Sequence, residues 1–417
     1  MSIRILAGRC GVALAALAAS LLPGAAAQAE DVFRIGGIAE LSGKYVAYGS
    51  QVKRGIETAI AVWKSVRGDK VAGRPIEVVI RDVQSNNSLA VSVMNQLIQS
   101  DKATVIIGPG GSDVGAAVVP AWKKTEERPV WLVPGVSSTV VEKNIGKDEY
   151  FFHTFSWTYD YHETNVDMLK RALGPDHTVA IIYADDAYGR AHLDYARKYL
   201  KEAGFKIVDE ELVRAGANDF MPTLVKLRAM HPQIVYTLMQ TDDAVLIAKQ
   251  IRAAKLDPQY LIGTAQAILP EWRSAVGDIQ ECWTGVATWL PGLGYPADKT
   301  EPKLFPASAT WETDWRQRNQ REAEFMDAGA YVSTMLALLA VEKANSTDRD
   351  KIEKALAEGD YMTPLGESKF VPSELAVHQA FSKMVVFQLQ KGADGFKSVL
   401  LYPADIAQGK LQSCPTE

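Results

Sequence analysis

The sequence predicts an α/β protein built as two doubly wound α/β lobes joined by a multi-strand hinge. Three observations predict it. Strand and helix patterns alternate in a first series up to residue 133 and again from residue 178. Removing a 29-residue leader from 417 residues leaves 388, more than one hydrophobic core comfortably serves. Two turns rich in glycine and serine, Val105-Ile-Ile-Gly-Pro-Gly-Gly-Ser-Asp113 and Val130-Trp-Leu-Val-Pro-Gly-Val-Ser-Ser138, each follow a short apolar run. In an open α/β sheet, turns at the carboxyl ends of strands form the ligand crevice.

Taken in order, residues 1–29 read as an export signal. Arg4 and Arg9 supply the positive start, 11–22 is largely apolar, and Ala27-Gln28-Ala29 fits a small-x-small cleavage site, so the mature chain is expected to start at Glu30. The apolar run is shorter than the ~20 residues that span a bilayer. Cys10 precedes that run rather than following a cleavage site, so a soluble exported protein without a lipid anchor is expected. A strand is predicted at 32–38 and a helix at 52–66, where Val52, Ile56, Ile60 and Trp63 recur at helical spacing. Strands at 75–81, 103–107 and 130–133 alternate with helices at 89–99 and 114–124. An aromatic crossing follows at 151–161, with no Gly/Ser- or Pro-rich linker in it.

The second series has strands at 178–183, 205–208, 233–239 and 260–263, with helices at 189–203, 221–230 and 244–254 between them. A strand at 282–290 leaves this series, and a long apolar helix at 326–342 must pack on one of the sheets. Short strands at 384–389 and 398–402 complete the chain. Such order predicts parallel sheets with right-handed crossovers. The expected lobes are 30–153 with about 291–374, and 154–290 with about 375–417. Repeated crossing makes a hinge, and a hinge makes a cleft that can close.

The formal net charge is −5, and loss of the two leader arginines moves it to −7. Acidic and basic residues are interspersed and no basic block appears, which argues against nucleic acid as a partner. Cys282 and Cys414 are the cysteines left after export; an oxidising compartment favours a bridge between them, the alternative being two buried thiols. Catalytic signatures are missing: there is no G-x-S-x-G, no H-E-x-x-H, and the 108–111 loop lacks the G-K-[ST] ending of a phosphate loop. The six histidines are scattered, and His153 and His162 near the presumed cleft read as structural. Asp185 and Asp186, like Asp242 and Asp243, precede helices, where capping is the commoner role. No enzyme activity, cofactor or metal is expected.

The segments 33–43 with Tyr48 and Gly49, then 106–109, 134–138, 182–189 and 216–220, fall in an order that resembles the periplasmic leucine/isoleucine/valine-type (type I) solute-binding proteins of ABC importers. The resemblance covers essentially the whole mature chain. It implies a soluble periplasmic receptor, expected to be a monomer, that delivers its ligand to an ABC permease and ATPase complex in the inner membrane. It also implies that Gly111, Ser112, Val136, Ser137 and Ser138 hold a ligand carboxylate, and that Tyr48 and Tyr188 face the ligand from either lobe. Where amino-acid-binding members carry an acid to meet the ligand's ammonium, this chain reads Gly263-Thr-Ala-Gln-Ala267. Gln266 or Asp242 could substitute, but a ligand without an amine explains the loop more simply, because an unpaired buried ammonium is costly. The aromatic residues Tyr45, Tyr48, Phe155, Trp157, Tyr159, Tyr188 and Trp289 add to that preference. A hydrophobic amino acid, an aromatic or short organic acid, and an amide all stay open as ligands. The rival function is a sensor of amides or organic acids that feeds a regulator.

Overall fold

The computed structural model describes residues 32–381 and 384–415; the export signal expected at 1–29 lies outside them. The first sheet grows from β1 (Phe33–Ala39), α1 (Val46–Arg67), β2 (Lys70–Val71), β3 (Arg74–Asp82), α2 (Asn87–Gln99) and β4 (Val105–Ile107). It continues through α3 (Ser112–Lys124), β5 (Val130–Val133), α4 (Thr139–Ile145) and β6 (Phe151–His153). Its order is β2-β3-β1-β4-β5-β6, and every pair except β2–β3 is parallel. Strands β4, β5 and β6 are buried at every residue, as expected where helices cover both faces.

The second sheet follows from α5 (Thr158–Leu173), β7 (Thr178–Ala184), α6 (Ala187–Glu202), β8 (Lys206–Val213), α7 (Met221–Arg228) and β9 (Ile234–Leu238). After these come α8 (Thr241–Ala253), β10 (Tyr260–Ile262), α9 (Pro270–Val276) and β11 (Trp283–Ala287). The chain then forms α10 (Ser308–Asn319), α11 (Phe325–Ala344), α12 (Arg349–Ala357) and the hairpin β12 (Asp360–Thr363)–β13 (Gly366–Lys369). Finally β14 (Val385–Gly392) and β15 (Gly395–Tyr402) join the second sheet as antiparallel strands, giving the order β15-β14-β11-β10-β9-β7-β8.

Helix α11 is long and apolar enough to cross a membrane, yet it is buried against α1, β4 and β5 of the first lobe. A Cβ at Gly55 would stand 2.6 Å from Ala330 Cβ, so glycine lets α1 and α11 cross at close range. Between the lobes, the segments after β6 and before β14 run side by side. The His153 N–H donates to the His378 carbonyl at 2.9 Å, and the Ala380 N–H donates to His153 O at 2.9 Å. The Gln379 amide donates to the Phe155 and Phe381 carbonyls, tying the two crossings together. Cys282 and Cys414 form a disulfide with Cα atoms 5.0 Å apart. It fastens the C-terminal tail beside β11, and closing a loop of that length contributes on the order of 2–5 kcal/mol.

Several elements differ from the sequence expectation. Helix α1 starts at Val46 rather than 52, and α5 starts inside the aromatic run at Thr158. Strand β8 runs on to Val213 through Asp209, Glu210 and Glu211. Those carboxylates are tolerated because Arg197 pairs with Glu210 at 2.6 Å and Lys226 with Asp209 at 2.8 Å.

Candidate ligand-binding cleft

The first wall of the cleft consists of the two glycine- and serine-rich turns after β4 and β5. In the first turn, the N–H groups of Gly110 and Gly111 donate to the two oxygens of Glu40 at 3.1 and 2.9 Å. Glu40 directly follows β1 and is fully buried. Burial pushes its pKa up to about 7, against the lowering effect of those N–H bonds. The glycines are needed for close approach. A Cβ at Gly110 would lie 2.8 Å from Tyr48 Cβ, and one at Gly111 would lie 2.9 Å from the Tyr45 ring and 3.0 Å from Glu40 Oε1.

In the second turn, Val136 adopts φ +60°, a left-handed conformation rare for a β-branched residue and worth ~1–3 kcal/mol of strain. Its N–H donates to Gly110 O at 3.3 Å, so the two turns brace each other. His153 supports this turn from below, with Nε2 3.0 Å from Val136 O and Nδ1 2.6 Å from Gln379 Oε1. Both ring nitrogens face oxygens, but burial lowers the pKa to about 4 and leaves the ring neutral at physiological pH. Ser138 caps α4 by accepting the Val140 N–H at 3.3 Å.

The second wall is built from side chains. Tyr188, in the first turn of α6, donates its hydroxyl to Thr264 Oγ1 at 2.7 Å and lies 3.9 Å, centroid to centroid, from the His192 ring. His192 Nδ1 and His162 Nε2 are 2.9 Å apart, and His162 Nδ1 is 2.7 Å from the Tyr236 hydroxyl. Burial lowers the pKa of His162 to about 3 and that of His192 well below the usual range, so the pair carries no charge at neutral pH.

Among the described residues, several hydrogen bonds cross between the walls. Tyr48 and Thr241 hydroxyls meet at 2.8 Å, Ser137 Oγ lies 3.3 Å from His192 Nε2, Ser138 Oγ lies 3.4 Å from Ala187 O, and the Ala187 N–H donates to Asp113 Oδ1 at 3.3 Å. Phe155, Tyr161, Phe325 and Met326 complete the lining with Gln240 and Ala265. A cavity of about 20 Å³ remains, space for one water, so a solute can enter only if the walls part. Larger hollows of about 680 and 270 Å³ lie on outer faces, at α2–α3 and beside the disulfide, away from the strand ends.

The structure brings Tyr48, Ser112, Val136, Ser137 and Tyr188 together around this space. Gly111 stands at its edge with its N–H engaged by Glu40. Gln266 lies beneath the second wall, where its Oε1 accepts from Thr264 N at 3.1 Å and from Thr264 Oγ1 at 2.6 Å. Asp242 is exposed in the first turn of α8, while its neighbour Asp243 is buried and accepts from Gly216 N at 3.0 Å. Of the other aromatics, Trp157 stacks on His153 at 3.6 Å and Trp289 packs on Trp311. Sequence reasoning missed Glu40, His192 and Tyr161. An acid directly after the apolar end of a strand, residues 35–39, was the available signal for Glu40.

Relatives share this architecture. A Leu/Ile/Val-binding protein homologue of Brucella abortus is 26% identical over 390 residues, covering 93% of this chain and 96% of the relative. The leucine-, isoleucine-, valine-, threonine- and alanine-binding protein of Pseudomonas aeruginosa is 24% identical, covering 82% and 86%. Among solved structures, a leucine-binding protein from Thermotoga maritima superposes with TM-score 0.77 at 19% identity, covering 90% of this chain and all of the other. A solute-binding protein of an ABC transporter from R. palustris, in complex with benzoate, superposes with TM-score 0.73 at 18% identity, covering 93% and 98%. The family model for periplasmic binding proteins matches residues 32–394, and the chain belongs to that family.

Proposed function

We propose that this chain is the substrate-binding component of an ABC importer, which captures a small, largely apolar solute between its two lobes and presents it to a membrane permease. The observation that carries this reading is the cleft itself, where Tyr48 and Ser137 of the first lobe meet Thr241 and His192 of the second across direct hydrogen bonds. Ligand contacts to both walls would shift an open–closed equilibrium, and no bond is made or broken. The lobes are 30–153 with about 291–374 and 154–290 with about 375–417. Export through the leader at 1–29 would place the protein in the periplasm.

The lining carries no carboxylate, which favours a ligand without an ammonium group. Its rings suit an aromatic or branched aliphatic body. The relatives span both kinds of solute, from leucine and isoleucine to benzoate and 4-hydroxybenzoate. A thermal-shift screen of amino acids, aromatic and short acids, and amides tests the reading. At least one compound is expected to raise the Tm of the wild type and to lose that effect in Tyr188→Ala. A shift that survives Tyr188→Ala would place binding elsewhere.

A further inference from the structure

The bonds that join the two walls are of two kinds. Tyr48 and Ser137 line the space, so a solute that enters it competes with their bonds to Thr241 and His192. Asp113 and Ala187 are not among the lining residues, yet they too join the walls. The first lobe grips Ala187 on both sides. Asp113 Oδ1 accepts its N–H at 3.3 Å, and the Ser138 hydroxyl donates to its carbonyl at 3.4 Å. Ala187 is the first residue of α6, the helix that carries Tyr188 and His192. The first N–H groups of a helix have no partner inside it. The Asp186 cap takes that of Gly189 at 2.7 Å, and that of Ala187 goes to the other lobe.

Asp113 is aimed before the lobes meet. It lies in the first turn of α3, where the Tyr45 hydroxyl donates to its Oδ2 at 2.6 Å and Lys44 Nζ stands 3.4 Å from the same oxygen. All three residues belong to the first lobe, and a carboxylate already fixed in direction loses little freedom on meeting its donor. A negative charge at the N-terminus of α6 is favourable, and Lys44 opposes the repulsion that Asp113 exerts on Asp186. We propose that Asp113 is a positioning residue whose carboxylate latches the first lobe onto the first peptide of α6, so that it tightens binding of every cleft solute by one common factor while touching none of them. This inference rests on the cleft being the solute site.

Asp113→Ala removes the acceptor and Ala187→Pro the donor. Proline is accepted at the first position of a helix, and Asp186, with ψ 177°, has the extended backbone that a residue before proline takes. Calorimetry and stopped-flow kinetics with leucine, isoleucine, benzoate, 4-hydroxybenzoate and benzamide test the proposal, with thermal unfolding of the free proteins as the control for folding. Every compound that binds the wild type should bind Asp113→Ala about three- to tenfold more weakly, through faster release at an unchanged association rate. Ala187→Pro should lose at least as much, and the double variant no more than Ala187→Pro alone. Wild-type affinity in either folded variant overturns the proposal, as do losses that multiply in the double variant or that fall on one class of compound and spare the other. If no compound binds the wild type, the cleft reading falls, and this inference with it.

Discussion

The first wall of the cleft is main chain pinned around one buried carboxylate, while the second is a set of rings and hydroxyls resting on two neutral imidazoles. In the first, Glu40, Gly110, Gly111 and Val136 hold one another, and Ser112 and Ser137 reach the space beside Gly110 and Val136. In the second, Tyr188 is positioned by Thr264 and by its tilted ring contact with His192, and Gln266 braces the loop that carries Thr264. A wall of peptide groups has fixed directions, whereas a wall of side chains can follow the ligand. The comparison suggests that the first lobe sets the head-group chemistry and the second closes on the body.

The two walls should also respond oppositely to pH. Glu40 has a raised folded pKa, about 7 against 4.5, so its contribution to stability is fully present below 4.5 and is lost as pH rises through 7. His162 has a depressed folded pKa, about 3 against 6.5, so its contribution is present above 6.5 and is lost as pH falls towards 3. Each effect is expected to reach about 1–3 kcal/mol. Denaturant unfolding between pH 4 and 8 should show Glu40→Gln gaining on the wild type as pH rises and His162→Gln gaining as pH falls. Parallel profiles for both variants would break the comparison.

A smaller effect concerns the hydroxyls. Replacing Ser112 and Ser137 together by alanine should weaken binding of the strongest screened compound by ~1–2 kcal/mol with little change in Tm, because each serine contributes one exchangeable hydrogen bond. Calorimetry beside thermal unfolding checks both halves; full affinity with an unchanged Tm would take the first wall out of recognition.

The alternation of strands and helices was legible because each strand is a short apolar run between turn residues, as at Val130–Val133, which begins and ends where expected. The start of α5 was hidden because its aromatic residues continue those of β6 without a break in pattern. Helices α10 and α12 were not anticipated: α10 buries only Ser308, Trp311 and Trp315, too few for a clear apolar stripe. At the site, Tyr48 and Tyr188, both in helices, were pointed to by the family resemblance, whereas the turns could be read because loop chemistry is local. Glu40 and His192 could not, because each acts through a partner far away in sequence, 70 residues for Gly110 and 55 for Ser137. Asp242 and Asp243 show the limit of local reading: neighbours in sequence, one faces solvent and the other is buried.

The central claim is that a solute enters by parting the two walls and is held when they close. Small-angle X-ray scattering tests it most directly, comparing the protein alone with the protein saturated by its strongest screened compound. The account predicts a contraction of about 1 Å in radius of gyration on saturation, absent in Tyr188→Ala at the same concentration. Saturable binding with an unchanged radius of gyration would contradict it.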